Sequence, residues 1–135
     1  MTKGPSRSKY LVHLTKNNQD TFGLLLILTH PLSFGIEMCK TPREASRFIK
    51  NYPVHGLIID YPSFDKEAFQ IIEAFQKQSP TLPIIVVTGS KGVKEIVVRL
   101  KALGITAIVR GQIVEVEKIQ KIILKAIKVP SEITR

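Results

Sequence analysis

The chain has 135 residues, of which 44% are hydrophobic, and a formal net charge of +9 at pH 7. This length suits one domain with a buried core. The apolar run Phe22 to Leu28 is too short to span a bilayer and lies too deep in the chain for a signal peptide. We therefore expect a cytoplasmic protein without a membrane segment. The single cysteine, Cys39, excludes an internal disulfide, and the scattered histidines predict no metal site.

The first half of the chain alternates strand and helix signals. Residues 1–9 are polar and basic, which predicts a flexible arm. Tyr10 to Leu14 is predicted as a strand, followed by an apolar helix through Phe22 to Leu28 that Asn17 or Asn18 begins and Pro31 ends. Gly35 to Cys39 is predicted as a second strand. Thr41-Pro42-Arg43-Glu44 then has the capping-box pattern of a helix start, and that helix is expected to reach Asn51.

The second half continues the alternation around its most apolar strand. The stretch from His55 to Pro62 predicts a strand buried on both faces, with the carboxylate of Asp60 at its end. After it we expect a loop at Tyr61 to Phe64 and a helix that Asp65 caps, with an apolar face formed by Phe69, Ile72 and Phe75. A strand at Leu82 to Thr88 and a helix from Val93 to a C-terminal Gly104 follow. The last expected elements are a strand at Ile105 to Val109 and a helix that stops before Pro130.

Five strands alternating with five helices predict an α/β fold. Such a pattern requires a doubly wound parallel sheet with right-handed crossovers. No repeat or second domain is evident, so the predicted organisation is an arm at 1–9, one domain at 10–129 and a tail at 130–135.

Three polar residues end three of the predicted strands: Asp60, Thr88 and Arg110. In open parallel sheets, ligands and chemistry collect at the carboxyl ends of the strands. The ordered set resembles the receiver (response-regulator) domains of two-component signalling, over Tyr10 to Lys128. The matching stretches are Leu57-Ile58-Ile59-Asp60 for the phospho-acceptor strand, Ile84-Ile85-Val86-Val87-Thr88-Gly89 for the strand that ends in Thr, and Ala102-Leu103-Gly104 for the end of the fourth helix.

The resemblance implies strand order 2-1-3-4-5 and a signalling module that is not an enzyme. In receivers an Asp attacks phosphorus, Mg²⁺ neutralises the shared charge, and a Thr and a Lys bind the phosphoryl oxygens. This chain departs from that pattern on the first strand, where Leu14-Thr15-Lys16-Asn17 stands in place of the acidic pair that holds Mg²⁺. It also has Arg110 for the Lys, Gly111 for the following Pro and Ala107 for the aromatic of the fifth strand.

Two interpretations of Asp60 follow. In one it is phosphorylated, with Lys16 and Arg110 taking over part of the metal's role. In the other it is a structural acid in an ion pair with Lys16 or Arg110. Since the reaction depends on the metal, loss of the acidic pair favours the second interpretation. We expect a divergent pseudo-receiver without a cofactor, in which Mg²⁺ binds only if the pocket of Thr15, Lys16, Thr88 and Arg110 is still active.

Lysines form the candidate interaction surface. They lie on the last two predicted helices: Lys94, Lys101, Lys118, Lys121, Lys125 and Lys128. Such a stripe is usually a solvated helix face. As a binding surface it favours an acidic protein over nucleic acid, because no base-stacking aromatic cluster accompanies it. The resemblance adds a histidine kinase or a downstream effector as partner and a homodimer through the fourth and fifth helices.

The leading hypothesis is therefore a receiver-like domain that works by protein–protein contact. A basic nucleic-acid-binding α/β module is the alternative, and steep salt dependence of DNA or RNA binding would favour it. A flavodoxin-like enzyme or cofactor binder has no support, because Thr15-Lys16-Asn17-Asn18 follows the first strand where a Gly-rich phosphate loop would stand.

Overall fold

The computed structural model describes residues 10–16, 35–89, 92–109, 121–122 and 125–126. Several predictions fall outside these residues: the arm at 1–9, the helix through Phe22 to Leu28, Arg110 and Gly111, and the tail at 130–135. Of the last predicted helix, only residues 121–122 and 125–126 are described, and they are helical. Within the described part of the chain, no helix has the length and apolarity that crossing a membrane requires.

The described strands form one parallel sheet in the order β2-β1-β3-β4-β5, which confirms the predicted fold class. The strands are β1 (Tyr10–Leu14), β2 (Gly35–Cys39), β3 (Val54–Asp60), β4 (Ile84–Val87) and β5 (Ala107–Val109). β3 lies at the centre, paired with β1 on one side and β4 on the other. Leu57, Ile58 and Ile59 are fully buried, as expected for a strand covered on both faces.

Four described helices connect the strands: α1 (Pro42–Asn51), α2 (Tyr61–Phe64), α3 (Glu67–Gln78) and α4 (Val93–Ala102). α1 has the predicted bounds because its capping box forms. The Thr41 hydroxyl accepts a hydrogen bond from the backbone N–H of Glu44 at 3.1 Å, and the Glu44 carboxylate accepts from the N–H of Thr41 at 3.3 Å. Two backbone donors of the first turn are thereby satisfied.

Gly104 ends α4 as predicted, with φ at +87°. The N–H groups of Gly104 and Ile105 bond to the carbonyls of Lys101 and Leu100, both at 2.9 Å, which is the Schellman arrangement. Because Ile105 is engaged in this cap, β5 begins at Ala107, two residues later than predicted. β4 is also shorter than predicted at both ends, and Pro83 before it has no N–H to donate.

The prediction of a loop at Tyr61 to Phe64 and a cap by Asp65 was wrong. Residues 61–64 form the short helix α2, with Pro62 in its first turn. Asp65 closes α2, since its N–H donates to Tyr61 O at 2.8 Å and its φ is +52°. α3 begins after Lys66 without a side-chain cap. Pro62 therefore marks a helix start, which is a position that proline favours.

The buried residues lie on both faces of the sheet. One face carries the main hydrophobic cluster, in which Val12 and Leu14 of β1 meet Ile72 and Phe75 of α3. Since side chains alternate along a strand, His13 lies on the opposite face. It is 0% exposed, and neither ring nitrogen has a hydrogen-bond partner among the described residues. Burial lowers the pKa of His13 to about 4.

Cys39, at the end of β2, is a free and buried thiol. Burial raises its pKa to about 12, and the charges of Glu37 and Glu44 add to the rise. A thiol with this pKa stays protonated at neutral pH, and the thiolate is the nucleophile. The structure thus gives Cys39 the environment of a core thiol.

Candidate functional site

Asp60 lies where β3 ends and α2 begins, at the carboxyl edge of the sheet. Its neighbour on β4 is Val87, so Thr88 follows at the same edge, and the end of β1 at Leu14 pairs with Ile59. The sheet therefore brings Thr15 and Asp60 together from sequence positions 45 residues apart. This is the edge at which α/β sheets place ligands and chemistry.

Two hydroxyl groups hold the Asp60 carboxylate. The hydroxyl of Thr15 donates to Asp60 Oδ2 at 2.8 Å, and the hydroxyl of Ser63 donates to the same oxygen at 2.8 Å. Their own oxygens are 3.3 Å apart. Thr15 is 0% exposed, whereas Asp60 and Ser63 are half-buried. Hydrogen bonds to a carboxylate are stronger than those between neutral groups, so this cluster fixes the Asp60 side chain.

Ser63 is a site residue that the sequence analysis missed. It lies in α2, three residues after Asp60, and its hydroxyl accepts from the backbone N–H of Lys16 at 3.0 Å. Ser63 therefore connects the end of β1 to the end of β3. The missed signal was Pro62: a proline at a helix start would have placed Ser63 in the first turn, one helical turn from Asp60.

Lys16 reaches the site through its backbone and not through its ammonium group. Its Nζ lies over the ring of Phe64, 5.1 Å from the ring centroid. No ion pair joins Lys16 and Asp60 in the structure, and the two neutral hydroxyls bind the carboxylate instead. The other suggested partner, Arg110, lies outside the described residues. An ammonium on an aromatic face keeps part of its electrostatic stabilisation and most of its hydration.

Thr88 is 2% exposed, and its hydroxyl donates to the carbonyl of Gly89 at 2.9 Å. Gly89 has φ at +79°, and a Cβ added there would lie 2.6 Å from Cγ of Pro62. The loop after β4 thus packs directly against the first turn of α2. This close approach requires glycine at position 89, for its conformation and for its lack of a side chain.

The remaining predicted site residues divide into two groups. Arg110, Lys118 and Lys128 lie outside the described residues. Lys94, Lys101, Lys121 and Lys125 are exposed. Val98, on α4 between Lys94 and Lys101, is 69% exposed. The interaction surface that these lysines were expected to form stays a prediction.

The described residues do not fit a receiver-type Mg²⁺ site. Mg²⁺ in proteins is usually held by one or two carboxylates together with phosphate oxygens and water. Here the first strand contributes the hydroxyl of Thr15, which donates its proton to Asp60 Oδ2. Among the described residues, no group of three or more His, Cys, Asp or Glu could hold a metal ion.

No protein-family model and no curated protein matches the chain. Its structure is nevertheless similar to solved receiver domains. The N-terminal signal receiver domain of a two-component response regulator from Bacteroides fragilis superposes with a TM-score of 0.77 at 14% identity, covering 90% of this chain and 98% of that one. A response regulator from Thermotoga maritima gives a TM-score of 0.78 at 13% identity, covering 90% and 99%.

A response regulator receiver domain protein from Clostridium thermocellum gives a TM-score of 0.70 at 19% identity, with 90% of this chain and 94% of that chain covered. The similarity extends over nearly the whole length of each protein. The chain therefore has the receiver fold, as the residues at the strand ends predicted.

Proposed function

We propose that this domain is a receiver-like signal-transduction module that acts by protein–protein contact and whose Asp60 is a structural carboxylate. The receiver fold supports the general role, and the hydroxyl cluster around Asp60 supports the second part. Thr15 and Ser63 both donate to Asp60 Oδ2 at 2.8 Å. Both donors are neutral hydroxyls, and both bind the same carboxylate oxygen.

The electrostatics of the pocket argue in the same direction. In-line attack on a phosphoryl group develops charge that a metal ion and fixed cations must offset. On the side of β1, the neutral hydroxyl of Thr15 donates to Asp60, the backbone N–H of Lys16 donates to Ser63, and the Lys16 ammonium lies over Phe64. Among the described residues, no ion pair supplies that compensation to Asp60. Phosphoryl transfer without it is slow, so we infer a domain whose contacts do not depend on phosphorylation.

Amide NMR with beryllofluoride, which mimics an aspartyl phosphate without a kinase, tests this proposal. Spectra of the wild type and of Asp60→Asn are recorded with and without Mg²⁺ and beryllofluoride. The expected result is no change in the wild type that requires both additions. Shifts at Thr15, Ser63 and Thr88 that need both additions and vanish in Asp60→Asn would instead demonstrate a working phospho-switch and overturn the structural role of Asp60.

Thr15→Asp provides the matched gain-of-function variant. The Thr15 hydroxyl is 2.8 Å from Asp60 Oδ2, so a carboxylate at position 15 would face Asp60 at a distance that one cation can bridge. We expect this variant to be destabilised without Mg²⁺, because two like charges share a buried site, and to be stabilised by Mg²⁺ while the wild type is not. If Mg²⁺ changed the stability of the two proteins equally, position 15 would not be the place where the acidic Mg²⁺ ligand is missing.

A further inference from the structure

An open groove lies next to the Asp60 cluster, bounded by α2 and the start of α3 on one side and by α4 on the other. Its volume is about 810 Å³, which falls within the range of sites that hold a small ligand or a short segment of chain. Six of its lining residues carry the argument: Lys16, Tyr61, Phe64, Phe69, Ile96 and Arg99.

The floor of the groove is apolar and mostly aromatic. Phe64, Phe69, Ile96 and Tyr61 retain between 5% and 8% of their surface, and all four line the groove. The rings of Tyr61 and Phe69 meet edge to face, with centroids 5.5 Å apart. A packed apolar floor suits the anchor side chain of a bound segment.

Two cations lie on this floor, and neither has an acidic partner among the described residues. The Arg99 guanidinium lies over the ring of Phe69, 3.8 Å from its centroid, and Lys16 Nζ lies over Phe64. Asp65, Glu67 and Glu95 also line the groove, yet none forms an ion pair with Arg99 or Lys16 in the described structure.

Arg99 can still donate hydrogen bonds to a ligand while it lies over Phe69. A guanidinium stacked on a ring keeps its N–H donors at its edge, where they match the two oxygens of a carboxylate. The charge of Arg99 also acts on Tyr61 in the floor of the groove. Burial raises the pKa of the Tyr61 hydroxyl, Asp65 adds to the rise, and Arg99 opposes it.

We propose that this groove binds a short acidic segment of a partner protein, with a carboxylate on Arg99 and an apolar side chain on Phe64 and Ile96. The lining itself has three basic and three acidic residues, so long-range attraction comes from the net charge of +9 of the whole chain. Arg99 and Lys16 fix the position of the segment. The inference rests on the proposed function only in taking the occupant to be a protein.

The groove also connects with the Asp60 cluster. Lys16 lines the groove, and its backbone N–H donates to Ser63, whose hydroxyl donates to Asp60. A segment that moves Lys16 would therefore move a hydrogen-bond partner of the cluster. The groove is separate from the lysine surface, because Lys94, Val98 and Lys101 are not among the groove residues.

The test titrates the full chain with an acetylated and amidated hexapeptide, Glu-Glu-Leu-Phe-Glu-Glu, and follows backbone amide shifts by NMR. We expect saturable shifts centred on Phe64, Phe69 and Ile96. Arg99→Gln should weaken binding by about tenfold, the usual effect of losing a charge-assisted hydrogen bond. Arg47→Gln, which removes an exposed arginine of α1 outside the groove, is the matched control and should change the affinity less than twofold.

Three outcomes would overturn the inference: no saturable shift, shifts centred on Lys94 and Lys101, or equal weakening by Arg99→Gln and Arg47→Gln. The last outcome would mean attraction by net charge alone. A peptide with Gln in place of every Glu separates the two contributions. It keeps the apolar anchors, and the loss of affinity that it causes should be smaller for Arg99→Gln than for the wild type. The beryllofluoride experiment contains no peptide, so failure of the proposed function and failure of this inference appear in different spectra.

Discussion

Acidification should destabilise this domain through His13 on β1. The ring is 0% exposed, and neither nitrogen has a hydrogen-bond partner among the described residues. Burial lowers its pKa from 6.5 to about 4. The unfolded chain therefore binds a proton at His13 between these two values while the folded chain does not, and stability falls as the pH falls.

The size of this effect follows from the two pKa values. When His13 is fully protonated in both the folded and the unfolded state, the free energy of unfolding is lower by about 3.4 kcal/mol, since each unit of difference between the two pKa values corresponds to about 1.36 kcal/mol. At pH 5 the loss is about 2 kcal/mol, and at pH 4 about 3 kcal/mol. Above pH 7 the contribution disappears. A loss of this size is a large fraction of the stability of an ordinary domain.

Urea unfolding of the wild type and of His13→Leu between pH 7.5 and 4 measures this contribution. The variant replaces a polar ring that has no hydrogen-bond partner among the described residues by an apolar side chain of similar size, so it should be more stable at pH 7.5 by about 1 kcal/mol. Its advantage should grow by about 2 kcal/mol at pH 5. His55→Leu, which removes an exposed histidine, controls for the loss of a histidine. If the free energies of unfolding of the wild type and His13→Leu changed with pH in parallel, the reasoning would be refuted.

Three further predictions concern the backbone around the site and the start of α1. Gly89→Ala should lower the free energy of unfolding by about 2 kcal/mol, because its Cβ would lie 2.6 Å from Pro62. Gly92→Ala, with φ at +62° and a Cβ that would meet no other described residue within 4 Å, should lose only about 1 kcal/mol, and equal losses in urea unfolding would contradict the clash. Asp65→Gly should raise the midpoint of thermal unfolding, since φ of +52° at this residue costs about 1 kcal/mol; a lower midpoint would mean that the Asp65 side chain stabilises the turn. Thr41→Ala should cost about 1 kcal/mol in urea unfolding by removing the cap of α1, and an unchanged stability would show that the capping box contributes little.

Local patterns in the sequence determined much of the fold. Tyr10–Leu14, Gly35–Cys39 and Pro42–Asn51 have the bounds that alternation and capping signals predict. A continuous apolar run with a terminal carboxylate likewise placed β3 and Asp60 at the centre of a parallel sheet. These signals work because hydrophobic periodicity and cap chemistry involve residues within a few positions of each other.

The partners of Asp60 were decided by the tertiary structure. Thr15 meets Asp60 only because β1 pairs with β3, across 45 residues of sequence. The sequence showed a cation next to Thr15, and charge alone suggested an ion pair with Asp60. In the folded chain the backbone of Lys16 engages Ser63 while its ammonium lies on Phe64. Which group reaches a carboxylate depends on strand register and on side-chain direction, and both are set by long-range packing that a linear pattern does not encode.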